Sequence, residues 1–301
     1  MKVRRGGGIS RDIEDRRAQG ATGGSGMPRG LQMGGGAGIL AILALVASLC
    51  ATQGGGGGSG FDLTQVINQL PQAQVAPGSK ELPAASPEEE QMVEFVSFVL
   101  DDIQGVWTQQ FAAAGQTYER ATLVLFRGST STACGTGSSQ MGPFYCPLDQ
   151  KVYIDLNFFE ELATKFGAPG DFAAAYVIAH ELGHHVQKLT GINDEVRTLQ
   201  QQNPDEANDL SIRQELQADC FAGVWATSTY ERGILEAGDI EEGLRAASSV
   251  GDDYIQKELG SGRVNPDTWT HGSSDQRVKW FTAGFNSGEP GTCDTFSVKN
   301  P

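Results

Sequence analysis

Basic residues are scarce in this chain: 22 Lys and Arg stand against 37 Asp and Glu, for a net charge of −15 over 301 residues. That balance excludes nucleic-acid binding as the main role, because phosphate recognition needs clustered cations. An acidic surface suits solubility first, and basic substrates second. Charge of either sign is missing altogether from residues 31–51, which excludes an ordinary solvent-facing segment there. Histidine is rare, four in all, so a site built on imidazoles has few candidates to draw on. No internal repeat is present. With 39% hydrophobic and 20% charged residues, the chain as a whole is not of disordered composition.

The front of the chain differs from the rest. Residues 1–30 carry seven Lys and Arg against three acids, and many of the 40 glycines gather near the start. Ile39–Ala51 is almost purely apolar. A spanning helix needs about 20 such residues, a length that 31–51 reaches. A cleaved signal peptide would have a shorter basic leader and a clean small-x-small site after its apolar core; here the leader is long and no such site follows. The reading is a basic cytoplasmic tail at 1–30, a single transmembrane anchor at 31–51, a flexible Gly/Pro-rich linker at 52–86 with a short helix near 61–70, and a folded domain at 87–301. The positive-inside rule keeps the tail inside. The acidic body then lies outside the cytoplasm, periplasmic or at the cell surface. Cys134, Cys146, Cys220 and Cys293 are an even number in an exported domain, which suggests two disulfides. The short loop favours Cys134 with Cys146, leaving Cys220 with Cys293.

Within the domain, Ser86-Pro87-Glu88-Glu89 is a helix start with a capping box. Met92, Phe95, Val96, Val99, Ile103 and Val106 recur at helical spacing behind it. Residues 118–126 and 151–156 read as strands, with a Gly/Ser/Thr-rich loop at 134–147 between them. Helical patterns follow at about 171–190, 204–231, 239–259 and 273–286. A few strands followed by helices make an α+β domain, mainly helical with a small β-sheet. The strand at 151–156 is a candidate edge for pairing with an extended substrate.

The chemistry concentrates at His180-Glu181-Leu182-Gly183-His184. Residues four apart on a helix share a face, so two imidazoles there can reach one Zn²⁺ at about 2.0–2.1 Å. Glu181 sits beside them, placed to act on a metal-bound water. Asp171 starts the helix, the apolar run Ala173–Ala179 buries it, and Gly191 suits its end. His185 points about 100° away from His184 and reads as a packing residue or a support behind the ligands rather than a ligand. Catalytic zinc takes three protein ligands. Among the histidines His271 alone remains, so a carboxylate is the leading third donor. Glu215 and Asp219 are one turn apart on a later, largely buried helix. Glu215 is the preferred ligand, and Asp219 the preferred acceptor for the far nitrogen of a ligand histidine.

E-x-x-A-D following H-E-x-x-H resembles the gluzincin arrangement, whose third zinc ligand is the Glu. More specifically, the chain resembles the neutral zinc metallopeptidase family of membrane-anchored bacterial proteins. The residues that carry this are Val177–Gln187 (VIAHELGHHVQ), Gly142–Pro147 (GPFYCP), Glu215–Gly223 (ELQADCFAG), Gly251-Asp252-Asp253, His271–Arg277 (HGSSDQR) and the opening Glu14-Asp15-Arg16-Arg17. The resemblance implies a zincin-like domain with one zinc per chain, held by His180, His184 and Glu215. It implies a peptide or protein substrate, Glu181 as general base, and a downstream donor to the oxyanion, for which His271 is the candidate and Tyr254 the alternative. Arg277 reads as a structural ion pair; Asp252 and Asp253 read equally as supports of the site or as helix surface. Other classes consistent with the sequence are a non-proteolytic zinc-binding envelope module or scaffold, and an amidase acting on cell-wall peptides. Glu181 counts against the first, because zinc storage needs no base.

Overall fold

Helix α1 (Pro87–Ala113) begins where its sequence says it should. The Ser86 side chain accepts from the Glu89 N–H at 3.2 Å, and Pro87 occupies the first turn. The capping box forms only by half: the Glu89 carboxylate turns instead to Arg17 and Arg127, since guanidinium is a stronger partner than a backbone amide. The buried face runs through Val93, Val96, Leu100, Ile103 and Trp107. Met92 and Phe95, one step round the helix, are only partly buried.

The computed structural model describes residues 1–3, 8–18 and 86–301. The anchor expected at 31–51, nearly all of the linker and the short helix near 61–70 lie outside the described residues. Among those described, no helix is long and apolar enough to cross a membrane.

A four-stranded sheet packs beside α1. Its strands are β1 (Ile13–Asp15), β2 (Thr122–Phe126), β5 (Phe144–Cys146) and β6 (Lys151–Asp155), in the order β1-β2-β6-β5. The first three neighbours run parallel, and β5 is antiparallel to β6. Leu123, Leu125, Val152 and Ile154 enter the main core, while Val124, Phe126 and Tyr153 form a second cluster on the other face. Burial on both faces explains why these strands read as continuous apolar runs. Between β2 and β5 lies a hairpin, β3 (Ser129–Thr132) with β4 (Gly135–Ser138), in the stretch that composition marks as loop. Cys134, between its strands, is bonded to Cys146.

Two expectations are corrected here. The first is the separate tail at 1–30. Ile13 pairs with Leu123 and Asp15 with Leu125, so Ile13–Asp15 is an outer strand of the domain's own sheet. Its charges disguise it, because three of them are matched on the domain: Glu14 by Lys151 at 2.6 Å, Arg17 by Glu90 at 3.0 Å, Asp12 by Arg120 at 2.5 Å. The second is the candidate edge at 151–156. β6 is paired on both sides, and the edge beside it is β5.

The helices are α2 (Asn157–Thr164), α3 (Asp171–Leu189), α4 (Ile192–Gln202), α5 (Ala207–Glu231), α6 (Asp239–Ser249), α7 (Asp252–Tyr254, continued by a π-turn at Ile255–Leu259) and α8 (Ser274–Ser287). The single helix expected over 239–259 breaks at Gly251. A Cβ there would sit 2.3 Å from the Ser274 nitrogen, so the start of α8 packs directly on that turn. Helices α5 and α8 cross closely through two glycines. A Cβ on Gly284 would lie 1.9 Å from the Cys220 carbonyl oxygen, and one on Gly223 would lie 2.1 Å from that of Phe281. Gly284→Ala is therefore expected to lower stability by about 1–3 kcal/mol, read as a lower urea midpoint. An unchanged midpoint would mean that the crossing yields freely.

Candidate active site

Helices α3 and α5 meet where Gly183 faces Ala218: a Cβ on Gly183 would stand 3.0 Å from Ala218 Cα and O. The missing side chain lets His180 and His184, on α3, approach Glu215, on α5. His180 Nε2 lies 3.1 Å from Glu215 Oε2, and His184 Nε2 lies 3.4 Å from Glu215 Oε1. The two rings stand edge to face with centroids 4.8 Å apart. One donor atom from each of the three residues falls within 4.8 Å of the others.

Each imidazole is held from behind. His180 Nδ1 meets Asp219 Oδ1 at 2.8 Å, and His184 Nδ1 meets Gln187 Oε1 at 2.8 Å. With Nδ1–H donated on both rings, both Nε2 atoms are left facing the same carboxylate. Two imidazole nitrogens and a carboxylate, each oriented from outside, form a donor set that fits Zn²⁺. Asp171, Asp239 and Glu242 also cluster, but they offer no imidazole, and the Met1 ammonium lies 2.7 Å from Asp171 and 3.4 Å from Asp239.

Residues 1–296 match the family model described as "Putative neutral zinc metallopeptidase". The chain belongs to this family. It is 48% identical over 290 residues to "Uncharacterized protein YpfJ" of Escherichia coli strain K12, covering 95% of this chain and 96% of that protein. It is 49% identical over 192 residues to "Uncharacterized protein Rv2575" of Mycobacterium tuberculosis strain H37Rv, covering 60% of this chain and 64% of that one. No solved structure matches the chain. Membership of this metallopeptidase family implies zinc.

The charges of the site are strongly coupled. Burial is the strongest single influence on His180 and works to lower it, but the Asp219 and Glu215 carboxylates together lift the ring to about 10. Glu215 does the same for His184, which is also raised. In return the imidazoles hold Glu215 well below the usual carboxylate range, against burial. A cation held by His180, His184 and Glu215 would have to displace protons from these rings, so its binding would depend on pH. Glu181 behaves differently: burial dominates and raises its carboxyl above the ordinary value.

His180, Glu181, His184 and Glu215 line one cleft of about 580 Å³, walled by Tyr145 of the edge strand and by Phe158, Val177 and Ile255. His271 stands at the same cleft with its side chain half exposed. Asp252 supports it: Oδ1 lies 3.2 Å from His271 Nδ1, and Oδ2 accepts the N–H groups of Thr270, His271 and Gly272. Asp253 instead caps the start of α8 through Ser274. Tyr254 donates to the Phe166 carbonyl at 3.2 Å and is not among the residues lining the cleft.

Arg277 is fully engaged behind His180. Its guanidinium grips both Asp219 oxygens, at 2.8 and 3.0 Å, and the hydroxyl of Tyr176 also reaches Asp219. His185 turns away from the metal donors. Its Nε2 donates to the Glu119 carbonyl at 2.6 Å, so its Nδ1 accepts from Tyr145 at 3.0 Å and ties α3 to the edge strand. Sequence reasoning missed Tyr176, Gln187 and Gln217 around the site. Tyr176 was legible in principle, four residues before His180, and Gln187 three residues after His184.

Proposed function

We propose that this chain is a zinc-dependent peptidase, with His180, His184 and Glu215 as the residues that hold the metal. The observation that carries this reading is the convergence of two oriented imidazole nitrogens and one carboxylate on the wall of a cleft that Glu181 also lines. Zinc bound there would act as a Lewis acid and make water acidic near neutral pH. Glu181 takes the proton of the attacking water and returns it to the leaving amine. His271, oriented through Nδ1 by Asp252, directs its other nitrogen to the developing oxyanion. Asp219 and Gln187 keep the two metal-facing rings in the required tautomer. The substrate is a peptide or protein that enters in extended form along the edge strand β5.

The two cystine bridges, Cys134–Cys146 and Cys220–Cys293, support a domain that works outside the cytoplasm. The test is zinc analysis of the full chain together with a peptide-library cleavage assay; zinc with cleavage supports the reading, and zinc without cleavage would leave a binding module. Glu215→Ala is expected to drop zinc below one per chain. Unchanged zinc stoichiometry would remove Glu215 from the donor set.

A further inference from the structure

We infer that Gln187 and Gln217 are positioning residues that carry the orientation of His184 out to the C-terminal segment. The inference rests on the reading of His180, His184 and Glu215 as metal ligands. The two histidines are held by different means. Behind His180 lies an ionic group, Asp219 with Arg277. Behind His184 lies a chain of neutral amides in the interior, with Gln187 0% and Gln217 5% exposed.

The direction of that chain is set by its hydrogen bonds. The Gln187 amide nitrogen donates to the Gln214 carbonyl at 2.7 Å and to Gln217 Oε1 at 3.0 Å. Both of its hydrogens are then used, and its oxygen must be the acceptor facing His184 Nδ1. That acceptor demands a hydrogen on Nδ1 and makes Nε2, on the Glu215 side, the nitrogen left to bind a metal. Gln217 in turn donates to the Cys293 carbonyl at 2.9 Å. Cys293 is fixed from two directions: its sulfur is bonded to Cys220 on α5, and two residues on, the Thr295 carbonyl accepts from Arg213 at 2.7 Å. The outer end of the relay is therefore a carbonyl that cannot drift. Gln214, Glu215, Gln217 and Cys220 all sit on α5, so the helix that supplies the carboxylate also supplies the frame for the opposite imidazole.

The experiment uses the full chain with Gln187→Met, Gln217→Met and the double variant. Methionine keeps length and bulk but removes both hydrogen-bonding groups. Gln200→Met, which cuts a glutamine contact between α4 and α5 away from the site, is the control. Zinc affinity is read by competition with a chelator, and the ligand field by the absorption spectrum of the Co²⁺-loaded protein. Gln187→Met should weaken zinc binding by about 10–100-fold and alter the Co²⁺ spectrum. By NMR it should also lose the slowly exchanging Nδ1–H signal of His184 while keeping that of His180. Gln217→Met should shift all three in the same direction by less, and the double variant should be no weaker than Gln187→Met alone, because both cut one chain. Gln200→Met should bind as the wild type does. If Gln187→Met keeps wild-type affinity and spectrum, or if the two losses multiply, the relay is refuted while the metal reading stands. A wild-type chain that binds no zinc overturns both.

Discussion

Glu181→Gln should leave the chain folded and loaded with zinc while cutting peptide turnover by about 10²–10⁴-fold, the usual contribution of a positioned acid–base group. The substitution is nearly isosteric, and Glu181 is not one of the three converging donors, so the metal should remain. What is lost is the capacity to accept and return a proton. The surroundings of Glu181 suit proton transfer. It lies on the wall of the cleft beside His180 and His184, and burial raises its carboxyl above the ordinary value. The measurement is kcat/KM on a cleaved peptide alongside zinc content on the same sample. Full turnover in this variant would remove Glu181 from the chemistry.

Arg277→Leu should cost about 3–5 kcal/mol, the range for removing one partner of a buried ion pair. Asp219 is wholly buried and its charge is met by Arg277, His180 and the Tyr176 hydroxyl. Without the guanidinium the carboxylate loses its one permanent countercharge in that group. Urea unfolding of the metal-free chain is the appropriate measurement, because bound zinc would add its own stabilisation. Adding Asp219→Asn should recover part of the loss, since neither charge then remains buried. A loss below about 1 kcal/mol, the level of an exposed pair, would show that Asp219 does not depend on Arg277.

Much of the site's arrangement was legible because helix geometry is rigid. A four-residue spacing put His180 and His184 on one face and Glu215 and Asp219 on another, and that is how they stand. The pairing of Cys134 with Cys146 and of Cys220 with Cys293 also follows the reading from loop length. The rest was hidden for identifiable reasons. Helix α4 has one buried residue, Val196, so its apolar stripe is too thin to register. Gly191, in the left-handed conformation at φ 83°, both ends α3 and opens α4, and reads only as an end. Which strand forms the edge depends on pairing between distant segments, and β6 looks no different in sequence whether its neighbour is present or not. Asp252 and Asp253 are adjacent and alike, yet one orients His271 and the other caps α8; only the fold separates them.

The pairing of β1 with β2 constrains how the chain meets a bilayer. Strands that share backbone hydrogen bonds share one aqueous phase, so Ile13–Asp15 and Thr122–Phe126 stand on the same side of any lipid barrier. A cytoplasmic front end and an exported body cannot both exist while that ladder is intact. Arg16 and Arg17 are taken up by Glu14, Asp15, Glu89 and Glu90, and impermeant reagents that label one end of the molecule should reach the other.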